Sequence, residues 1–263
     1  MSPAPADSAR VGYNGAADAW AGGASLAYVP LARHLVAACP EPLLGAIALD
    51  AGAGTGAAGA ALHERGANVV SSDLQGDMLR GNRCRTDAAV ADIIALPFRA
   101  GAFDVVVAAF VLNHLDRPGL GLTEMARVCR HGGAVLASSF AATRAPVKTI
   151  VDNVAAAHGW VVPEWYETFR RRAAQLSSAE HMAEIAHQAG LGDVAATETE
   201  IDIGLDDPHS IARYRLGMPQ LAAFVSALTE TRRLAFEADV VAAIAASGEP
   251  LRPAVVELVG RAA

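Results

Sequence analysis

Lysine is almost missing from this chain: 263 residues contain one, Lys148, against 20 arginines. Acids outnumber bases by 28 to 21, for a net charge of -7, so there is no excess positive charge for unspecific binding to nucleic acid or to an anionic membrane. Cysteine is scarce too. Cys39, Cys84 and Cys129 form no CxxC pair, which argues against a disulfide scaffold and against a zinc site. No run of 18 apolar residues suggests a membrane span, and the polar, Pro-rich start MSPAPADSAR does not read as a signal peptide. The expectation is a soluble cytoplasmic protein. Aromatics make up only 5%, whereas 52% of residues are hydrophobic, with 59 alanines and 24 glycines. That is ample material for the core of one large α/β domain.

Along the chain, residues 1–10 read as a leader, and Ala16–Cys39 carries apolar residues at helical spacing. Short apolar runs follow at Ala46–Leu49 and Asn68–Ser72, each closed by an aspartate, and at Ala88–Val90, just before Asp92. Phe103–Phe110 is a β-branched run of the kind buried on both faces of a parallel sheet. A helix over Pro118–Cys129 and a strand over Ala134–Phe140 complete an alternation that predicts a doubly wound sheet. Residues 146–189 and 207–247 read as helical, Val194–Ile203 as an outer strand and Ala254–Val259 as a closing one. The expected arrangement is one domain: N-terminal helices over 10–45, a core over 46–140, and helical insertions over 141–190 and 204–250.

The most informative segment is LDAGAGTG at Leu49–Gly56. Gly52, Gly54 and Gly56 fall in the first strand-to-helix turn, where a residue without Cβ lets a ligand touch the backbone. Dinucleotide folds use a similar triad, but this one is a residue shorter than G-x-G-x-x-G. Asp50, at the strand end, would repel a pyrophosphate and attract an ammonium group. Asp73, 23 residues on, stands where an acid accepts bonds from ribose hydroxyls. Leu74 and Met78 would add apolar contact, and the Asp92 carboxylate would accept from an exocyclic adenine amine. For Asp73 a helix cap, and for Asp92 a solvated turn, are the competing readings.

LDAGAGTG, SSDLQGDML, VADIIALPFRAGAFDVVVAAFVLNHLD and RVCRHGGAVLASS, in this order, resemble the class I S-adenosylmethionine (SAM)-dependent methyltransferases, in particular the bacterial group acting on small molecules. The resemblance covers residues 10–140. It implies a Rossmann-like, seven-stranded, mostly parallel sheet with one antiparallel strand near the edge. It also implies helices on both faces, an N-terminal helical cover and helical insertions after strands 5 and 6. By the same resemblance SAM is the cofactor and S-adenosylhomocysteine (SAH) the product. The LDAGAGTG loop (Asp50, Ala51, Gly52, Gly54, Thr55, Gly56) would cradle the cofactor. Asp73 would hold its ribose, Ala91, Asp92 and Ile93 its adenine, Phe110 and Val111 its methionyl side, and Tyr13 would cover it.

The acceptor is written less clearly. His114 follows the fourth strand, where this fold exposes residues to the cleft, and its ordinary pKa near 6.5 suits a general base for a hydroxyl. On that reading the rate rises with pH through an ionisation at about 6–7. Shaping the cofactor pocket is the rival role for His114. Asn113 beside it is a candidate to orient the acceptor. Trp160, Trp165 and Tyr166, with Phe169, concentrate rings in an aromatic-poor chain and suggest an apolar or ring-bearing acceptor. Packing of the insertion's own core explains them equally well. Arg170–Arg172 reads as a solvated helix face; Arg213 and Tyr214 are placed to reach the acceptor from the second insertion. O-methylation of a small organic molecule leads over N- or C-methylation. The alternatives are a SAM-binding protein of other chemistry and a nicotinamide-dependent oxidoreductase. No nucleic acid or membrane partner is expected, and monomer and homodimer stay open.

Overall fold

The computed structural model describes residues 19–82, 87–142 and 146–263. Its centre is a seven-stranded sheet in the order β3-β2-β1-β4-β5-β7-β6. The strands are β1 (Ile47–Ala51), β2 (Asn68–Asp73), β3 (Asp87–Val90), β4 (Phe103–Ala109), β5 (Cys129–Phe140), β6 (Leu191–Glu200) and β7 (Ala254–Ala262). The first five are parallel; β7 runs antiparallel to both β5 and β6. The expected seven-stranded, mostly parallel sheet is therefore observed, and the antiparallel strand lies one place in from the edge.

Each face is sealed by helices whose apolar residues meet the continuous apolar runs of the central strands. On one side α1 (Ser25–Ala37) and α2 (Ala57–Glu64) bury Leu35, Val36 and Leu62 against Val105, Val107 and Leu136. On the other, α4 (Pro118–Val128) and α7 (Ala179–Gln188) bury Leu122, Met125 and Met182 against Val106, Val135 and Leu258. Between these pairs comes the short α3 (Gly76–Arg80). Alternate residues of one strand thus serve opposite layers.

The remaining helices form a cap. Between β5 and β6 lie α5 (Pro146–Ala157) and α6 (Glu164–Ala173), ahead of α7. Between β6 and β7 lie α8 (Pro208–Leu216), α9 (Pro219–Ala227) and α10 (Glu230–Ser247). Their starts follow local chemistry: Asp207 accepts from the His209 and Ser210 amides, Pro219 opens α9, and Thr229 caps α10. The cap has its own core of Val151, Trp160, Ile211, Leu221, Phe236 and Val240. It meets the rest at a tight crossing. A Cβ on Gly23 would lie 2.5 Å from the Arg213 carbonyl oxygen and 2.8 Å from the Cα of Gly217.

β6 departs from expectation, running over 191–200 rather than 194–203. Gly190 and Asp193 both take positive φ (87° and 45°), and a register shift between Gly192 and Ala195 lets the strand begin earlier. Ile201 and Ile203 then leave the sheet and pack against Tyr28, Phe110 and Tyr214.

Candidate active site

The carboxyl ends of β1, β2 and β4 open onto a cavity of about 460 Å³, inside the roughly 300–1,000 Å³ range of small-molecule sites. Its floor is the loop after β1. Gly52 and Ala53 donate their amides to the Ser72 carbonyl at 2.7 and 2.8 Å, and Gly54 donates to Asp73 Oδ2 at 2.8 Å. The loop is thereby tied to the end of β2 in positive-φ geometry, with Gly52, Gly54 and Gly56 at 76°, 53° and 90°. The three glycines differ in what surrounds them. A Cβ on Gly52 would meet Val111 methyls at 2.5 Å, and one on Gly56 the Asn82 side chain, whereas one on Gly54 would find only Met78 Cε at 3.5 Å. Gly54 faces the cavity, while Gly56 opens α2 and does not line it.

Two aspartates stand on this floor. Asp50 is 1% exposed and accepts from the Gly59 amide at 2.7 Å; Gly59 is the helical residue that lets α2 come so close. Burial pushes the Asp50 carboxyl up to about 7, with the Gly59 N–H opposing and the Asp73 charge adding to the rise. Asp73 accepts from Gly54 and, through Oδ1, from Gln75 at 2.7 Å. Burial raises its pKa against the pull of those two amides. Thr55, Leu74 and Met78 line the cavity beside it. Ala91, Asp92 and Ile93 form the wall beyond β3, where Asp92 Oδ1 accepts from the Ile94 amide at 3.1 Å. Ala51 lies in the sheet core, below the floor.

The opposite wall begins at Phe110, which lines the cavity with φ of 59°. A non-glycine residue there carries backbone strain. The strain is held by packing: the Phe110 ring sits 4.6 Å from that of Phe140 and 5.1 Å from that of Tyr28. The bend sends Val111 over Gly52 and brings His114 to the rim. Trp20 and Tyr28 close this side. Tyr13 lies outside the described residues.

His114 stacks on Phe169 of α6, with ring centroids 4.6 Å apart. Burial, helped by the nearby Arg172 guanidinium, lowers its pKa to about 4, so the imidazole is neutral at neutral pH. This departs from the expected ionisation at about 6–7. The reading of Arg170–Arg172 as a wholly solvated face also gives way. Arg172 lines the cavity, pairs both of its outer nitrogens with Asp116 or the His114 carbonyl, and binds Asp116 through Nε as well. The signal was present: Tyr166, Phe169 and Arg172 recur every third residue and share one face of α6.

The remaining acceptor candidates do not meet at the cavity. Asn113 is 3% exposed, and its buried Oδ1 has no partner among the described residues. Trp160 lies in the cap core, donating from Nε1 to the Gln220 carbonyl at 3.0 Å. Trp165 and Tyr166 extend the ring series from Phe169: Tyr166 stacks on Phe169 at 5.8 Å, and Trp165 meets Tyr166 edge-on at 5.7 Å. Arg213 points to solvent and Tyr214 inward.

Residues 49–137 match the family model described as a methyltransferase domain. Among curated proteins, the chain is 41% identical over 95 residues to the demethylmenaquinone methyltransferase of Beutenbergia cavernae, covering 35% of this chain and 40% of that one. It is 36% identical over 112 residues to the protein of the same name from Clavibacter sepedonicus, covering 40% and 46%. The matched segments thus span less than half of either relative. Among solved structures, a protein of Anabaena variabilis, named for a methyltransferase of an antibiotic biosynthesis pathway, superposes with TM-score 0.62 at 13% identity, covering 86% of this chain and 95% of its own. Phosphoethanolamine N-methyltransferase 2 of Haemonchus contortus, solved with SAH, gives TM-score 0.57 at 16% identity over 88% of this chain and 52% of its own. The fold is that of the class I SAM-dependent methyltransferases.

Proposed function

We propose that this chain transfers the methyl group of SAM to a small, ring-bearing organic acceptor, with oxygen as the methylated atom. The observation that carries the reading is the join between loop and strand end. Gly54 faces an open cavity while its amide holds Asp73, with buried Asp50 beneath. The residues fit the cofactor: an acid at the ribose position, an acid for the ammonium group, and Asp92 with Ile93 for the adenine. When bound, SAM supplies a methyl group already activated on a sulfonium, so the chain's own task is mainly alignment and exclusion of water.

Asp73 keeps lone pairs on both carboxylate oxygens for the ribose hydroxyls after serving Gly54 and Gln75. Phe110 and Val111 fix the height of the methionyl side above the loop. Neutral His114, its ring plane set by Phe169, would accept the hydrogen bond of the acceptor hydroxyl and take its proton as the methyl passes from the sulfonium, leaving SAH, to the oxygen. Arg172 holds the His114 carbonyl in place. Similarity to the demethylmenaquinone methyltransferases favours a second reading, in which the acceptor is a demethylated quinone.

The test is incubation with SAM and a panel of hydroxylated aromatic compounds, following SAH and methylated product by mass spectrometry. Product on an acceptor hydroxyl supports oxygen transfer. Product on a ring carbon supports the quinone reading, and SAM consumed without methylated product contradicts both.

A further inference from the structure

Two rings that line the cavity, Trp20 and Tyr28, have no part in the transfer described above. Trp20 stands in a π-helical turn, Trp20–Ala24, that runs into α1, and Tyr28 lies on the first turn of α1. Their ring centroids are 4.6 Å apart, and Tyr28 meets Phe110 nearly edge-on at 5.1 Å. Phe140 backs the group, 4.6 Å from Phe110 and 5.9 Å from Tyr28. Trp20, Tyr28 and Phe110 therefore form one buried wall of rings along the cavity. Two of the three stand on irregular backbone, the π turn at Trp20 and the positive φ of Phe110. Such irregularities concentrate at functional sites.

The charge of the lining points the same way. Among the described residues, Asp50, Asp73, Asp92 and Asp116 line the cavity against two arginines, Arg117 and Arg172. Arg172 is itself held by Asp116. A cavity with this excess of acids favours a cation. A sulfonium is a cation with no N–H or O–H to donate, so hydrogen-bond acceptors cannot grip it as they grip an ammonium. The face of an aromatic ring attracts such a cation within about 6 Å. On the methyl-transfer reading, the sulfur lies between the ribose at Asp73 and the ammonium at Asp50, beside Phe110.

We propose that Trp20, Tyr28 and Phe110 are a ring wall for the sulfonium and distinguish charged SAM from its neutral product, SAH. The two molecules share the adenosine, the ammonium and the carboxylate. They differ only in the methyl group and the positive charge it brings. Transfer of the methyl removes that charge, so the wall holds the substrate and releases its hold on the product. Exchange of SAH for fresh SAM is favoured after each transfer. A cation against an aromatic face strengthens binding by roughly 2- to 30-fold. This discrimination deepens the cofactor placement and so rests on the methyl-transfer reading.

The experiment is calorimetric titration of the protein with SAM and, separately, with SAH, at one pH and salt and with no acceptor present. The wild type should bind SAM at least about threefold more tightly than SAH. Tyr28→Leu, which removes the ring, should lower that ratio at least about twofold while SAH affinity stays within about twofold. Tyr28→Phe, which keeps the ring and loses only the hydroxyl, should preserve the ratio. If the leucine variant does not fold, Trp20→Leu and Trp20→Phe repeat the comparison at the neighbouring ring. Equal affinity of the wild type for SAM and SAH overturns the proposal. So does a leucine variant that weakens both ligands equally, since the ring would then only pack. A wild-type protein that binds neither SAM nor SAH overturns the methyl-transfer reading beneath it.

Discussion

The two halves of the cavity are built by different means. The half we assign to the cofactor uses backbone: positive-φ glycines, amides tied to the end of β2, and aspartates in or just beyond the strand ends. The half we assign to the acceptor uses side chains from α6 and from the loop after β4, some 50 residues apart in sequence and joined by Arg172 to Asp116 and Phe169 to His114. A backbone site is fixed by a short stretch of sequence, because glycine conformation and strand ends are local properties. A side-chain site is fixed only when distant helices pack.

The sharpest way to break this contrast is Gly54→Val. At φ of 53°, valine is strained, and its side chain would occupy the cavity rather than the core. We expect SAH binding to be abolished while a cooperative melt persists; Asp73→Ala should be milder, at about 1.5–3 kcal/mol of affinity. Normal SAH affinity in the valine variant, measured by calorimetry, would make the glycine loop purely structural.

Next in size is the acceptor half. His114→Gln should lower kcat by roughly 10²–10⁴-fold with SAH affinity unchanged. Because the His114 pKa is lowered to about 4, the imidazole stays neutral throughout the ordinary range. The ratio of wild-type to variant kcat should therefore be flat from about pH 5.5 to 8 and fall only as pH drops towards 4. A ratio that climbs through pH 6–7 would mean that the ring is less buried in the working enzyme.

The smallest expected effect sharpens the comparison from the cofactor side. Asp50 has its carboxyl raised from 3.8 to about 7, so folding favours its protonated form. Its contribution to stability is full below pH 3.8 and is lost as pH rises through about 7. Binding an ammonium group favours the ionised form instead. SAH affinity should thus increase as pH rises from about 5.5 to 7, by up to about tenfold per unit, then level off. Asp50→Asn should lose that dependence and melt higher at pH 8; an unchanged pH slope would place the ammonium elsewhere.

This contrast also sets what the sequence could tell. The succession of strands and cap helices along the chain followed from apolar runs and turn residues, and an antiparallel strand near the edge from the family resemblance; that this strand is β7 came only from the structure. Asp50, Asp73 and Asp92 were legible from the apolar runs that precede them, although only Asp73 closes its strand: Asp50 lies one residue inside the end of β1 and Asp92 two beyond β3. Trp160 was misleading because a ring that fills a helical core and one that lines a cavity look alike until helix phase is known. Arg172 and Arg215 were passed over for the same reason. Arg213 and Arg215 lie two residues apart on α8, and only packing shows that the first faces solvent and the second is buried. The lowered pKa of His114 needed Phe169 and Arg172, more than 50 residues away in sequence, to come alongside.

The central claim is that the cavity at the ends of β1, β2 and β4 is a SAM site. Titrating the purified protein with SAH and, separately, with NADH by calorimetry tests it most directly. One SAH bound per chain, with no heat from NADH and with binding lost in Gly54→Val, is the predicted result. Binding of NADH in place of SAH, or SAH binding that Gly54→Val leaves intact, would contradict it.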